Sequence, residues 1–167
     1  MVDQMGFDMS LVEAIETQRS IRRLKPDPVD DALVRRLIEL ALKAPTGGNA
    51  QGWEFIIVKD REIKKGLARL NRNAWGVYGS MARWVTRKDP TRQRTIRAVQ
   101  WQADHFEEIP VIVVACLKGF RLPVPHVLSA SYFGSIFPGV QNLLLAARAV
   151  NLGAGLITFP MWNLLSL

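Results

Sequence analysis

The sequence predicts an α+β fold: a mixed sheet enclosed by helices, with one long buried helix at its centre. Three observations predict it. Two short segments, Trp53–Lys59 with its apolar run Phe55–Val58 and the apolar Val111–Leu117, have the length of strands covered on both faces. The segments around them repeat apolar residues at helical spacing and stop at prolines. The stretch Phe133–Val150 is apolar nearly all round, which a helix tolerates only when it is buried.

Each element has its own signal. The first helix runs from Ser10 to about Gln18. Ser10 as N-cap with Glu13 three residues on forms a capping box, and Val12 and Ile15 are its expected buried stripe. Pro26 and Pro28 forbid helix beyond it. A second helix begins after Val29, with Asp30 or Asp31 as N-cap, keeps Leu33, Leu37, Leu40, Ala41 and Ala44 on one stripe, and ends at Pro45. The first strand follows over Trp53–Lys59. Asp60 then caps a helix that turns Ile63, Leu67 and Leu70 inward. A basic loop around Asp89-Pro90 leads into an amphipathic helix, Thr91–Glu108, with Ile96, Val99, Ala103 and Phe106 inside. Pro110 ends it and the second strand, Val111–Leu117, begins. The segment Arg121–His126 reads as loop. In Phe133–Val150, Pro138 marks a first turn or a kink, and Asn151 or Gly153 can close the helix in a left-handed cap. A third strand is expected over Ala154–Phe159.

Composition narrows the class. A chain of 167 residues is one domain by length, 1–167, and buries most of its apolar surface. With 49% hydrophobic and 22% charged residues it is globular rather than disordered. The single Cys116 lies in a strand and reads as a small core residue. No basic stretch followed by an apolar core opens the chain, so a cytoplasmic location is expected. The most apolar segment, Tyr132–Phe159, is broken by Pro138, Gln141, Asn142, Arg148 and Asn151, which argues against a membrane span of about 20 apolar residues. Net charge is +7, and much of the excess sits in Arg83, Arg87, Lys88, Arg92, Arg94 and Arg97, flanked by Trp75, Trp84 and Trp101. That combination suits single-stranded nucleic acid, or a solvated insertion near an active-site mouth. The second reading is adopted here, with no nucleic acid and no membrane as partner.

Two segments carry the functional signal. Ala44-Pro45-Thr46-Gly47-Gly48-Asn49-Ala50-Gln51-Gly52-Trp53 joins a helix to a strand with more polar equipment than turning requires. Its glycines permit positive φ or close approach to a ligand, and Thr46, Asn49 and Gln51 add donors and acceptors. Upstream, Gln18-Arg19-Ser20-Ile21-Arg22 places two guanidinium forks about a hydroxyl, suited to a phosphate, or else to a solvated helix end.

Together these motifs resemble the nitroreductase family of flavin mononucleotide (FMN) enzymes. The pattern is Arg-Ser-x-Arg, then Pro-Asp-Pro-Val before a helix, then Ala-Pro-Thr-Gly-Gly-Asn-x-Gln-x-Trp before a strand; Val140–Gly153 is similar to that family's central helix. The resemblance runs from about Ser10 to about Thr158. It implies a nitroreductase-like flavoprotein, an oxidoreductase that takes two electrons from NAD(P)H onto FMN and passes them to a nitroaromatic, quinone or similar acceptor in ping-pong fashion. It implies a homodimer with FMN at the subunit interface. The cofactor then supplies the hard chemistry, which fits the absence of any His/Asp/Ser constellation, paired carboxylates or metal spacing. No catalytic side chain and no metal are expected; His105 on a helix and His126 in a Pro-rich loop read as structural or exposed.

Residue roles follow from the same resemblance. Arg19 and Ser20 match positions on the FMN phosphate or ribityl chain. Arg22 matches the basic residue near flavin N1 and the C2 carbonyl, where negative charge grows on reduction. Pro45, Thr46, Gly47 and Asn49 match the loop that reaches FMN from the partner subunit, and Gln51 touches the ribityl chain or the loop itself. Asn73 matches the asparagine at the pyrimidine edge, with Asn71 as rival. Ile157, Thr158 and Phe159 are expected beside the flavin ring. There are departures: Gln18 stands where many relatives have a phosphate-binding Arg, and Gly52 replaces a common Pro. The family chain also normally continues beyond Leu167 with further basic phosphate ligands, so a truncated member is expected, with Trp162, Leu164, Leu165 and Leu167 in want of cover. Two such lost charged contacts weaken FMN binding about a hundredfold or more. Beside the enzyme reading stand a non-catalytic flavin-binding relative or fragment, and a basic nucleic-acid-binding protein.

Overall fold

A computed structural model describes residues 6–118 and 126–162. The architecture is α+β: helices α1 (Leu11–Thr17), α2 (Asp31–Ala41), α3 (Arg61–Val85), α4 (Pro90–Asp104), α5 (His126–Ala149) and α6 (Phe159–Trp162), with strands β1 (Trp53–Val58) and β2 (Ile112–Leu117) paired in a two-stranded sheet. The chain divides into two compact units.

The first unit comprises the chain through Arg19, Val29–Ile57 and Val113–Ala154. It holds α1, α2, all but one end residue of each strand, and α5. Ser10 caps α1 through the Glu13 N–H (3.1 Å), and Asp30 caps α2 through the Ala32 N–H (3.3 Å). Helix α5 packs on α1 and α2, and Leu37, Ala146 and Ala147 form the core with Phe7, Leu40, Leu143, Val150 and Leu152 against it. Gly139 lets α5 approach α2: an added Cβ would lie 3.2 Å from the Ala41 carbonyl oxygen. Helix α5 closes with Asn151 at φ 58°, the Leu152 N–H donating to Ala147, a left-handed cap that asparagine accepts at little cost.

The second unit comprises Ser20–Pro28, Val58–Ile112 and the chain from Gly155. Asp60 caps α3 through the Ile63 N–H (2.9 Å), and Asp89 caps α4 through the Thr91 and Arg92 N–H groups, both 3.0 Å. Trp75, Ile96 and Ala103 are its core, with Ala82, Val99 and Phe159 packed around them. Gln100 ties the two helices, accepting from the Trp75 indole (2.8 Å) and Arg83 (3.1 Å).

Several expectations are corrected. In α1 the buried residue is Ala14; Val12 and Ile15 are exposed, because a seven-residue helix meets α5 along one narrow stripe. Strand β1 is not covered on both faces: Trp53 and Val58 are buried, Ile56 and Ile57 exposed. Helix α3 runs through Arg83 into Val85, far beyond Leu70, with Ile63 exposed, since its buried face begins at Ala68. The helix expected over Thr91–Glu108 stops at Asp104 and continues as a 3-10 turn, Phe106–Glu108. His126 opens α5, so Pro138 lies in the helix interior, and Phe133 and Phe137 are exposed. Residues 154–158 form no strand; Ala154 makes an isolated bridge and α6 starts at Phe159. The loop expected over Arg121–Pro125, and the cover expected to be missing at Trp162, Leu164, Leu165 and Leu167, lie outside the residues and side chains described.

Candidate functional site

In the first unit the loop after α2 is held from within. The Asn49 N–H donates to the Thr46 carbonyl (3.0 Å) and the Ala50 N–H to Gly47 (3.1 Å), closing a 3-10 turn over Gly47–Asn49. The Thr46 hydroxyl accepts from the Gln51 N–H (3.1 Å), and the Gln51 amide donates to Asn49 Oδ1 (3.0 Å). Gly48, Asn49 and Gln51 all have positive φ, at 58°, 53° and 48°. Left-handed backbone at non-glycine residues costs about 1–2 kcal/mol each and tends to collect where a ligand is clamped. One anchor comes from α5: the Gly47 N–H donates to Ser135 Oγ (3.0 Å), which itself donates to the Ser131 carbonyl (2.8 Å). Pro45, Gly47, Asn49 and Gln51 are exposed and Thr46 half-buried. Arg19, also exposed, folds back on α1, with Nη1 donating to the Glu16 (2.8 Å) and Gln18 (2.6 Å) carbonyls.

In the second unit Ser20 is exposed and Arg22 half-buried, its Nη1 donating to the Ser20 carbonyl (3.3 Å). Gly155 lies against this segment; a Cβ there would be 3.2 Å from the Ile21 carbonyl oxygen. The chain therefore runs from beside Ile21 into Ile157, Thr158 and Phe159. Phe159 packs on Trp75 and Tyr78 of α3, ring centroids 5.8 and 5.4 Å away. Two turns before Tyr78 on the same helix, Asn71 is 3% exposed and its Oδ1 has no hydrogen-bond partner. Asn73 is exposed.

Each unit thus gathers part of the expected set: Arg19 with Pro45, Thr46, Gly47, Asn49 and Gln51 in one, Ser20, Arg22, Asn73, Ile157, Thr158 and Phe159 in the other. Sequence reasoning passed over Ser131 and Ser135. The available signal was a pair of hydroxyls one turn apart on a largely apolar helix. Among the described residues no group of His, Cys, Asp or Glu could hold a metal ion.

The model of the nitroreductase family matches residues 15–163. The chain belongs to the nitroreductase family. A protein of Methanothermobacter thermautotrophicus with the provisional name NADH dehydrogenase/NAD(P)H nitroreductase is 24% identical over 153 residues, 92% of this nitroreductase-family chain and 63% of the relative. Rat iodotyrosine deiodinase 1 is 26% identical over 149 residues, 87% of this chain and 50% of the deiodinase. The chain thus spans about half to two thirds of the length of these relatives. A solved iodotyrosine deiodinase bound to FMN and 3-iodo-L-tyrosine superposes with TM-score 0.69 at 21% identity, over 90% of this chain and 76% of that one. An FMN-bound nitroreductase of Desulfitobacterium hafniense superposes with TM-score 0.61 at 19% identity, over 85% of this chain and 66% of that one. These likenesses establish the fold.

Proposed function

We propose that this nitroreductase-family chain, as one domain over 1–167, binds FMN and acts in the cytoplasm as a two-electron oxidoreductase. NAD(P)H would be its reductant, and a nitroaromatic, quinone or similar small molecule its acceptor. The observation that carries this reading is the orphaned Oδ1 of Asn71. A buried acceptor left without a donor costs about 1–3 kcal/mol, so native chains rarely keep one without a use for it. The pyrimidine edge of a flavin offers an N–H of the right kind. Asn71 therefore takes the role that sequence reasoning gave to the exposed Asn73.

Bound FMN would supply the redox chemistry. The chain's part is to bind and orient it. Ser20 and Arg22 offer a hydroxyl and a guanidinium to its phosphate and polar ring edge, with Arg19 as a further cation. The strained loop Pro45–Gln51 offers a preformed polar edge; Ile157, Thr158 and Phe159 offer a flank backed by Trp75 and Tyr78. A homodimer is part of the proposal. The first unit leaves Leu11, Val12 and Ile15 of α1 and Phe133 and Phe137 of α5 exposed, apolar surface that a second copy would cover.

The test is the visible spectrum of the purified full chain incubated with FMN, then NADPH without oxygen. A retained flavin band that bleaches supports the reading. Retained FMN that NADPH does not bleach favours a non-catalytic flavin-binding relative, a second reading motivated by Gln18 and by the use of Arg19 on its own helix end. No retained flavin sinks both.

A further inference from the structure

Helix α3 has a second apolar face that its own unit leaves open. Its inward side buries Ala68, Asn71, Ala74, Trp75 and Gly79. Val77, Met81, Trp84 and Val85 recur at i, i+4, i+7 and i+8, the spacing of a single helical stripe. They are 78%, 59%, 69% and 61% exposed. The chain from Arg83 to Arg97, across the end of α3 and into α4, is cationic. Arg83, Arg87, Lys88, Arg92, Arg94 and Arg97 are all exposed, and Asp89 is the one carboxylate between residues 77 and 103. Asp89 is already engaged, capping α4 and lying 3.3 Å from Arg92.

We propose that this face docks on an anionic lipid surface, which replaces the sequence expectation of no membrane partner. The chemistry selects that occupant. An interfacial helix sinks aliphatic and Trp side chains to the headgroup–acyl boundary while Arg and Lys stay among the phosphates; the α3 stripe and its rim supply both. A second copy fits poorly, since symmetric contact through this face would set Arg83, Arg87 and Lys88 against their own copies. Single-stranded nucleic acid needs open aromatic platforms. Trp75 is buried and Trp101 is stacked on His105 at 4.2 Å, which leaves Trp84 alone of the three as an open ring. Val77, Met81 and Val85 stack on no base. The contact is peripheral, since no helix among the described residues is long and apolar enough to cross a membrane. It stands apart from the flavin reading.

Sedimentation of the full chain with phosphatidylcholine vesicles, with and without phosphatidylglycerol, tests it. Binding is expected only to the anionic vesicles and should weaken with salt. Brominated acyl chains should quench fluorescence in the wild type and not in Trp84→Phe. The double substitution Arg87→Gln with Lys88→Gln should weaken partition about 25-fold, roughly five-fold per cation. Should that variant misfold, the wild-type quenching still decides. No sedimentation with anionic vesicles at low salt overturns the proposal. So does sedimentation without Trp84 quenching, and so does protection of the Val77–Val85 stripe by self-association or single-stranded DNA with no lipid binding.

Discussion

Ser135 on α5 accepts a hydrogen bond from the backbone N–H of Gly47, 88 residues away in sequence, at 3.0 Å. The hydroxyl in turn donates a hydrogen bond to the Ser131 carbonyl, so the loop is tied to a helix that is itself fixed in the core through Ala146 and Ala147. Loop and helix are thereby one mechanical piece. Ser135→Ala removes the anchor while leaving Gly47 exposed to water, so the loss is a net hydrogen bond of about 1 kcal/mol rather than a buried orphan. The expected outcome is FMN affinity about five-fold weaker, with faster hydrogen exchange at Gly47–Gln51. Unchanged exchange there would mean that the loop holds itself.

Gly48 tests the strain in that loop separately from its contacts. Its φ is 58° and an added Cβ would meet nothing within 4 Å. The cost of Gly48→Ala is therefore conformational alone, about 1–2 kcal/mol, and should appear as a lower denaturation midpoint with an unchanged slope. Asn49→Gly, at φ 53°, should move the midpoint little, because relief of strain offsets the added freedom of the unfolded chain and the loss of the exposed Gln51–Asn49 hydrogen bond.

The parts of the fold legible in sequence were those decided locally. Ser10, Asp30 and Asp60 cap the helices they precede because the bond each makes spans only two or three residues. The apolar run at β1 and the left-handed Asn151 are local in the same sense. What depended on partners was not legible. Val12 and Ile15 have the same character as buried residues, and only the placement of α5 turns Ala14 inward instead. Gly66, Gly76 and Gly79 lower the helix propensity of α3, yet packing of Trp75 against Ile96 carries the helix through them to Val85. Residues 154–158 have strand composition, but a strand needs a neighbour along its length, and only Ala154 finds one. Of the site, the Pro45–Gln51 loop announced itself by composition. Its anchor at Ser135 did not, being separated by most of the chain.

Arg22 differs from Arg19 in setting. Arg19 is exposed and bonded to its own helix end, whereas Arg22 is half-buried and bonded to the Ser20 carbonyl, beside the segment that Gly155 brings close. A half-buried cation acts in a lower effective dielectric than an exposed one. Arg22→Ala should therefore lower the midpoint potential of the FMN-loaded protein by about 30 mV, the equivalent of about 1.4 kcal/mol for two electrons, while Arg19→Ala should mainly weaken binding. Redox titration with a reference dye reads both. Equal potentials in the two variants would remove the distinction.

Asn71 allows the sharpest separation of a ligand-binding residue from a structural one. Two residues on a helix are about 200° apart, so Asn71 and Asn73 cannot both face inward; the packing of Trp75 decides for Asn71. Its Oδ1 is a liability in the free chain. Replacing it by an apolar side chain of similar volume removes a buried unpaired acceptor, so Asn71→Leu should raise the melting temperature of the FMN-free protein. The same change removes the partner for the ligand, so FMN affinity should fall about ten-fold, the worth of a buried hydrogen bond of about 1.5 kcal/mol. Opposite movements of stability and affinity are hard to obtain from a residue that merely packs, because loss of packing lowers both. Thermal unfolding without FMN, followed by FMN titration of the same preparation, measures the two. A lower melting temperature in Asn71→Leu would show that the amide supports the fold and would return the pyrimidine-edge role to Asn73.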